Sequence, residues 1–248
     1  MQELDIIILS NAQTPELRKL TCQALESLTN SEDPNKVRFL IQVYESASTI
    51  PYSYPFCQTI FPRKPFNYNK FMNLGIKKGT ASYVVLCNND LIFQPGWASS
   101  ILETFRTYPE LDSASPLCEI NHRELGIYPN TGTYFGYEVR KQIAGWCLFF
   151  KRSMLQKTGL LDERFRFWYA DNDYANTLEK NKILHALVSS SLVDHLESQT
   201  LKTKSERERL MLTTQERFFY ECKWGSRTYL SYLNYKRKQF FKKPQPSR

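Results

Sequence analysis

Tyr83-Val84-Val85-Leu86-Cys87-Asn88-Asn89-Asp90 is a short apolar run that ends abruptly in three side chains bearing oxygen. Gly79 precedes the run and Pro95-Gly96 follows it. A run this short, bounded in this way, fits a buried strand of a mostly parallel sheet better than a stretch of helix. In open α/β sheets ligands bind beyond the carboxyl ends of such strands. A carboxylate at that tip, Asp90 flanked by the amides of Asn88 and Asn89, suits a hard divalent cation that holds a phosphate.

Upstream, Leu4-Asp5-Ile6-Ile7-Ile8-Leu9-Ser10 reads as a first strand, and Thr14-Pro15-Glu16 starts a helix with Thr14 as N-cap and Pro15 at the first helical position. Residues 37–44 form a second strand whose tip carries Glu45. Residues 69–78 have helical apolar spacing (Phe71, Leu74, Ile76), closed by Gly79. The β-α-β-α-β order predicts a twisted, doubly wound, mostly parallel sheet with flanking helices.

Downstream, residues 97–107 read as a helix with Ile101, Leu102 and Phe105 toward one face. Pro109, Pro116, Pro129, Gly126, Gly132 and Gly136 mark a loop-rich segment to about residue 140, read as a substrate-shaping insertion or irregular strands. Residues 143–150 read as a buried strand, 153–157 as a helix broken at Gly159, and Trp168 to Asp173 lead into a helix reaching about Lys182. Residues 183–188 and 189–193 bring in the last strand, ending at Asp194-His195. The chain then divides into a domain over residues 1–200 and a C-terminal extension over 201–248. The extension holds a helix over 205–221, with Leu210, Thr214, Phe218 and Phe219 on one face, expected to pack over the acceptor side. Lys223-Trp224-Gly225 breaks it before a basic aromatic tail.

The 248 residues carry a net charge of +8 and six cysteines with no CxxC spacing, which reads as reduced, mostly buried thiols rather than a zinc site. From Lys223 onward there are eight Lys or Arg and no acid, interleaved with tyrosine and phenylalanine. That composition suits a polyanion or a membrane surface, and equally a solvated tail. No apolar stretch approaches the ~18 residues of a span, and the first residues lack the features of a signal peptide. The expectation is a soluble, cytoplasmic protein.

Taken in order, Asp5 to Leu9 followed by a helix, Asn73-Leu74-Gly75-Ile76, Asn88-Asn89-Asp90, Gly145-Trp146-Cys147-Leu148-Phe149-Phe150-Lys151-Arg152, Gly159-Leu160-Leu161-Asp162-Glu163-Arg164-Phe165, Ala170-Asp171-Asn172-Asp173 and His195 resemble the GT-A-fold family-2 glycosyltransferases. The resemblance spans about residues 4–200. It implies a GT-A-like α/β fold and a nonprocessive, inverting transfer of sugar from a nucleotide-sugar donor, a UDP-sugar ahead of others, with Mn2+ or Mg2+ as cofactor. Asn88-Asn89-Asp90 is similar to the family's DxD motif, with Asn88 in place of the first acid. Asp90 is thereby implied as metal ligand, His195 as the histidine that completes the metal site, and Asp171 as the base, in a pair of which Ala170 replaces the first acid. Ser10, Asn11, Glu45, Asn73, Asn88 and Asn89 are implied as donor contacts.

Trp146 and Trp168 are read as acceptor contacts, or as plain core. Asp173 or Asn172 is expected to cap the helix that follows and leave Asp171 for catalysis. His122 and His185 have no comparable setting and receive no role. No QxxRW-type motif is present, which speaks against a processive synthase. An envelope or lipid-linked glycan leads as acceptor. A hydroxylated DNA base flipped into the pocket is the alternative, as is a catalytically silent binding module for carbohydrate or nucleic acid. Nucleotidyl transfer lacks a Gly-rich phosphate loop near residue 10.

Overall fold

The computed structural model describes residues 1–47, 52–196, 206–225 and 227–241. The chain divides into two compact units, Met1–Lys204 and Ser205–Arg248. The first is built on a nine-stranded mixed sheet: β1 (Gln2–Ser10), β2 (Val37–Glu45), β3 (Gln58–Ile60), β4 (Tyr83–Cys87), β5 (Leu91–Phe93), β6 (Leu111–Leu117), β7 (Thr133–Phe135), β8 (Cys147–Lys151) and β9 (Leu184–His195). The order is β3-β2-β1-β4-β8-β6-β9-β5, with β7 also paired to β9. Strands β1 to β4 run parallel, and β8 runs antiparallel to both its neighbours, β4 and β6.

The flanking helices are α1 (Pro15–Thr29), α2 (Tyr68–Lys78), α3 (Trp97–Thr107), α4 (Glu119–Arg123), α5 (Leu155–Thr158) and α6 (Ala170–Lys180). Strand alternation sorts the core to both faces of the sheet. Leu4, Ile6 and Ile8 of β1, with Val85 and Cys87 of β4, join the cluster holding the buried stripes of α1 and α3. Ile7 and Leu9, with Val84 and Leu86, join the cluster that takes α2 and α6. Burying such a side chain fully is worth on the order of 1.5–3 kcal/mol. The all-apolar strand sequences follow from having helices on both sides.

Several local expectations hold. Thr14 accepts the Leu17 N–H at 3.3 Å as the N-cap of α1, and Gly159 breaks the chain with φ +69°. Gly79 does end α2, but at φ −75°, an ordinary conformation. Its requirement is space: a Cβ there would lie 2.2 Å from Asp5 Oδ2. That buried carboxylate accepts from the Ala81 N–H at 2.8 Å and from Arg152 Nη2 at 2.5 Å. Arg152 also donates to the carbonyls of Ile76 and Ala81, so one ion pair ties β1, α2 and the end of β8 together.

Others are narrowed or corrected. Of the two readings of the loop-rich segment, irregular strands hold: it contains β7 and the buried β6, which lies between β8 and β9. Its sequence Leu-Asp-Ser-Ala-Ser-Pro-Leu hides it, because Ser113 and Ser115 are fully buried and Pro116 sits at a register shift against β9. The strand expected from residue 143 begins at Cys147. The helix expected over 153–157 is a 3₁₀ turn, Arg152–Met154, followed by α5. The helix expected to reach about Lys182 ends at Lys180, whereas the last strand is continuous from Leu184 to the expected end at His195, as β9. Of the six free cysteines, Cys87, Cys118 and Cys147 are buried, whereas Cys22, Cys57 and Cys222 are half-buried.

The second unit holds α7 (Glu206–Lys223) and α8 (Tyr229–Phe241), with Phe219 against Tyr232 at 5.9 Å between ring centroids. Gly225 at φ +102° separates them. Much of the basic aromatic tail is thus a second helix. Lys242, Lys243 and Arg248, the start of the extension at 201–205 and the Leu210 side chain lie outside the described residues. No helix among the described residues is long and apolar enough to cross a membrane.

Candidate active site

The Asn88 N–H continues the β4–β8 ladder by donating to the Trp146 carbonyl at 2.9 Å. Just beyond, β5 pairs antiparallel with the end of β9, setting Leu91 opposite His195, and the Leu196 N–H donates to the Asp90 carbonyl at 2.9 Å. This register brings His195 Nε2 to 3.4 Å from Asp90 Oδ1. Both atoms are buried, and neither has a hydrogen-bond partner. The Trp146 ring stacks on the His195 imidazole with centroids 5.0 Å apart and planes 6° from parallel, which fixes the ring toward Asp90.

Buried polar atoms are rarely left unpaired, since each costs about 1–3 kcal/mol. A carboxylate oxygen facing an imidazole nitrogen is a donor set that fits a divalent cation, Mn2+ more readily than the oxygen-preferring Mg2+. No group of three or more His, Cys, Asp or Glu gathers among the described residues. A cation here would need its remaining ligands from water and from the phosphates of a substrate.

Asp171 enters from α6. The helix starts at Tyr169, which holds φ +59° at the N-cap position, so neither Asn172 nor Asp173 caps it and Asp171 lies inside the first turn. Its Oδ1 accepts the Asn172 N–H at 2.9 Å. Burial raises its pKa above the ordinary aspartate value of 3.8, partly offset by the backbone N–H groups of Asn172 and Asp171 and by the charge of Arg140. Gly145 makes the approach possible, because a Cβ there would lie 2.8 Å from Asp171 Cβ.

Asn88, Trp146, Trp168, Asp171 and His195 line one cleft of about 580 Å³. The indole N–H groups of Trp146 and Trp168 are buried there without a partner. Tyr68 stands on another wall and donates to the Gly145 carbonyl at 3.4 Å. Burial pushes its hydroxyl far up in pKa, so it stays protonated and a donor.

The other expected donor contacts do not line this cleft. Ser10, Glu45 and Asn89 instead share a buried hydrogen-bonded chain. Asn89 Nδ2 donates to Thr21 Oγ1 at 2.8 Å, Thr21 and Ser10 meet at 2.9 Å, Ser10 and Tyr54 at 3.1 Å, and the Tyr54 hydroxyl donates to Glu45 Oε2 at 2.7 Å. Glu45 Oε1 accepts the N–H groups of Ala12 and Ala47, so this strand-end acid is buried and saturated. The chain locks the tips of β1, β2 and β4 to α1. Asn11, half-buried, follows directly after β1. Asn73 has a tethering role: its amide exchanges hydrogen bonds with the N–H and C=O of Leu161, at 3.0 and 2.8 Å, and pins the loop before α6.

Sequence reasoning missed Thr21, Tyr54, Tyr68 and Arg140, and gave no role to His122 and His185. Their signal is three-dimensional, since each matters through a partner on a distant element. Arg140, in a turn near the Gly145-Trp146 motif, and Tyr68, shortly before Asn73, stand close in sequence to recognised features.

No protein-family model matches the chain, and no curated protein matches it in sequence. Solved structures do. Residues 1–349 of Staphylococcus aureus TarS superpose with a TM-score of 0.58 at 12% identity, covering 78% of this chain and 59% of that one. The same TarS fragment in complex with UDP-GlcNAc gives 0.60 at 11%, covering 83% and 62%. GalNAc-T7 with UDP, GalNAc and Mn2+ gives 0.61 at 11%, covering 79% and 44%. The fold is that of the GT-A glycosyltransferases. The chain spans less than two thirds of the length of these structures.

Proposed function

We propose that this chain is a metal-dependent, nonprocessive inverting glycosyltransferase that moves a sugar from a nucleotide-sugar to an acceptor hydroxyl. The observation that carries it is the facing pair of orphaned buried atoms, Asp90 Oδ1 and His195 Nε2, at a strand tip that opens on the same cleft as Asp171. Asp90 and His195 would hold the cation. A bound Mn2+ offsets the charge that develops on the departing nucleoside diphosphate, typically worth several kcal/mol. Solved GT-A neighbours that hold UDP-GlcNAc, or UDP with GalNAc and Mn2+, support a UDP-sugar donor.

Asp171 is the base. With its carboxylate ionised it accepts the proton of the acceptor hydroxyl as that oxygen bonds to the anomeric carbon from the face opposite the diphosphate. The bond to the diphosphate breaks, and the configuration inverts. A positioned base contributes about 10²- to 10⁴-fold. Burial of Asp171 serves this role by raising its proton affinity. Trp146 and Trp168 offer aromatic surface to the acceptor, an envelope or lipid-linked glycan in this proposal. The chain from Asn89 to Glu45 keeps the strand tips rigid around the donor.

The test is release of nucleoside diphosphate from a panel of nucleotide-sugars, with Mn2+ or with chelator, for the wild type and Asp90→Ala. Metal-dependent release from one donor, abolished in the variant, is the expected result. Full activity of Asp90→Ala would overturn the assignment, and no release from any donor would leave a binding module.

A further inference from the structure

Arg140 lines the same cleft as Asp171, and its construction is unusual. Its backbone holds φ +70°, a left-handed conformation costly for an arginine, which persists where surrounding structure over-determines it. The turn around it is fastened from several sides. The Arg140 N–H donates to the Ile143 carbonyl at 2.9 Å, and the N–H groups of Gln142 and Ile143 both return to the Glu138 carbonyl.

Beneath the turn lie two buried histidines. His122 Nε2 meets the Lys141 carbonyl at 3.1 Å, and His185 Nε2 meets the next carbonyl, Gln142, at 2.9 Å. A carbonyl only accepts, so His185 donates through Nε2 and, when neutral, its Nδ1 takes the Ser113 hydroxyl at 2.8 Å. Ser113 in turn accepts from Tyr174 at 2.7 Å, on the same helix as Asp171. The Ser115 hydroxyl takes the Ala144 N–H at 3.1 Å. Thus the buried serines of β6 and both otherwise unassigned histidines serve one end, a rigid turn.

That turn presents one free cation. Arg140 makes no ion pair or side-chain hydrogen bond among the described residues, whereas its neighbour Lys141 is paired with Glu138 at 3.0 Å. Its charge reaches Asp171. Trp146 and Trp168 stand on the same walls. We infer that Arg140 is an acceptor-specificity residue that binds an anionic group, phosphate or carboxylate, carried by the acceptor near the hydroxyl that Asp171 deprotonates. This rests on the transferase reading. A guanidinium fork suits bidentate recognition of either anion, and a fixed backbone lowers the cost of ordering it.

The experiment is calorimetric titration of the protein, saturated with UDP and Mn2+, with glucose 6-phosphate, glucuronate and glucose. Wild type should bind at least one of the two anionic sugars about tenfold or more tightly than glucose. A preference for glucose 6-phosphate alone identifies phosphate, and for glucuronate alone, carboxylate. Arg140→Asn, which tolerates the left-handed backbone, should lose the preference. Arg140→Lys should keep part of it, and Lys141→Ala all of it. Equal binding of the three sugars by wild type, no binding of any, or a preference that survives in Arg140→Asn would overturn the inference. So would a loss in Arg140→Asn of UDP affinity alone, since the residue would then serve the donor. A protein that binds no UDP yet prefers anionic sugars through Arg140 would refute the transferase and leave the anion site standing.

Discussion

Replacing His185 by glutamine should change how stability depends on pH. His185 is fully buried, and burial lowers its pKa from 6.5 to about 4, with its bond to the Gln142 carbonyl acting in the opposite direction. The unfolded chain takes up this proton near pH 6.5, whereas the native state takes it up only near pH 4. As pH falls through that window the unfolded state binds the additional proton, and native stability declines. The linkage relation puts the loss between pH 7 and pH 4.5 at about 2 kcal/mol. His122, lowered by burial in the same direction, adds to the decline with the same sign. Glutamine can keep a donor toward the Gln142 carbonyl but not the acceptor toward Ser113, so at pH 7 the variant should be less stable by about 1–2 kcal/mol. It has no proton to take up. The gap between the two proteins should therefore close on acidification. Urea denaturation of both at pH 7 and pH 4.5 measures it, and a gap that stays constant would refute the argument.

Gly145→Ala places a methyl group 2.8 Å from Asp171 Cβ, so the carboxylate proposed as the base must shift by a few tenths of an ångström or more. The expected outcome is a ~10- to 100-fold fall in kcat with UDP affinity intact; wild-type kcat would show that the position of Asp171 is uncritical. The proposed base must be ionised to act, so kcat should fall as pH drops through the Asp171 pKa, which burial holds above 3.8, and Asp171→Asn should abolish turnover. For stability the sign is the reverse of His185: a raised carboxyl pKa favours the native state below the unfolded value, and that contribution disappears as pH rises through the native one. Gly79→Ala drives a methyl group into the Asp5 carboxylate and should cost about 3 kcal/mol by separating it from Arg152, read as a drop in denaturation midpoint. An unchanged midpoint would mean that the ion pair relaxes freely.

The half of the sheet that carries Asp90 was legible because its strands are apolar on both faces and its helices open and close on local signals such as Thr14-Pro15. The other half was not. Strand β6 looks like a loop because its serines fasten a turn some thirty residues downstream, and hydrogen bonding between distant segments leaves no periodic trace. The same holds at the site. Asn88, Trp146, Trp168, Asp171 and His195 come together on one cleft as the motif order implied. Asn73 is an amide of the right kind in the right place, but its partners are Leu161 backbone groups that no local pattern announces. Arg140 is invisible in composition, since an unpaired arginine is ordinary until the turn beneath it is seen to be built from buried histidines.

Strand β8, running against its neighbours, sets the order in which the molecule can be completed. Strands β1 to β4 are consecutive in the chain and together form one side of the sheet, so they can pair while the chain is still being made. β4 waits for β8, its Cys87 meeting Cys147 across sixty residues, and the tip beyond Asp90 waits for β9, Gln94 meeting Asp194 across one hundred. Until then the apolar edge of β4 is open to pairing with other chains. The residues proposed as cation ligands and base are thus assembled only once nearly all of the first unit has left the ribosome, and a chain truncated before β9 would carry half of the proposed site and an exposed strand.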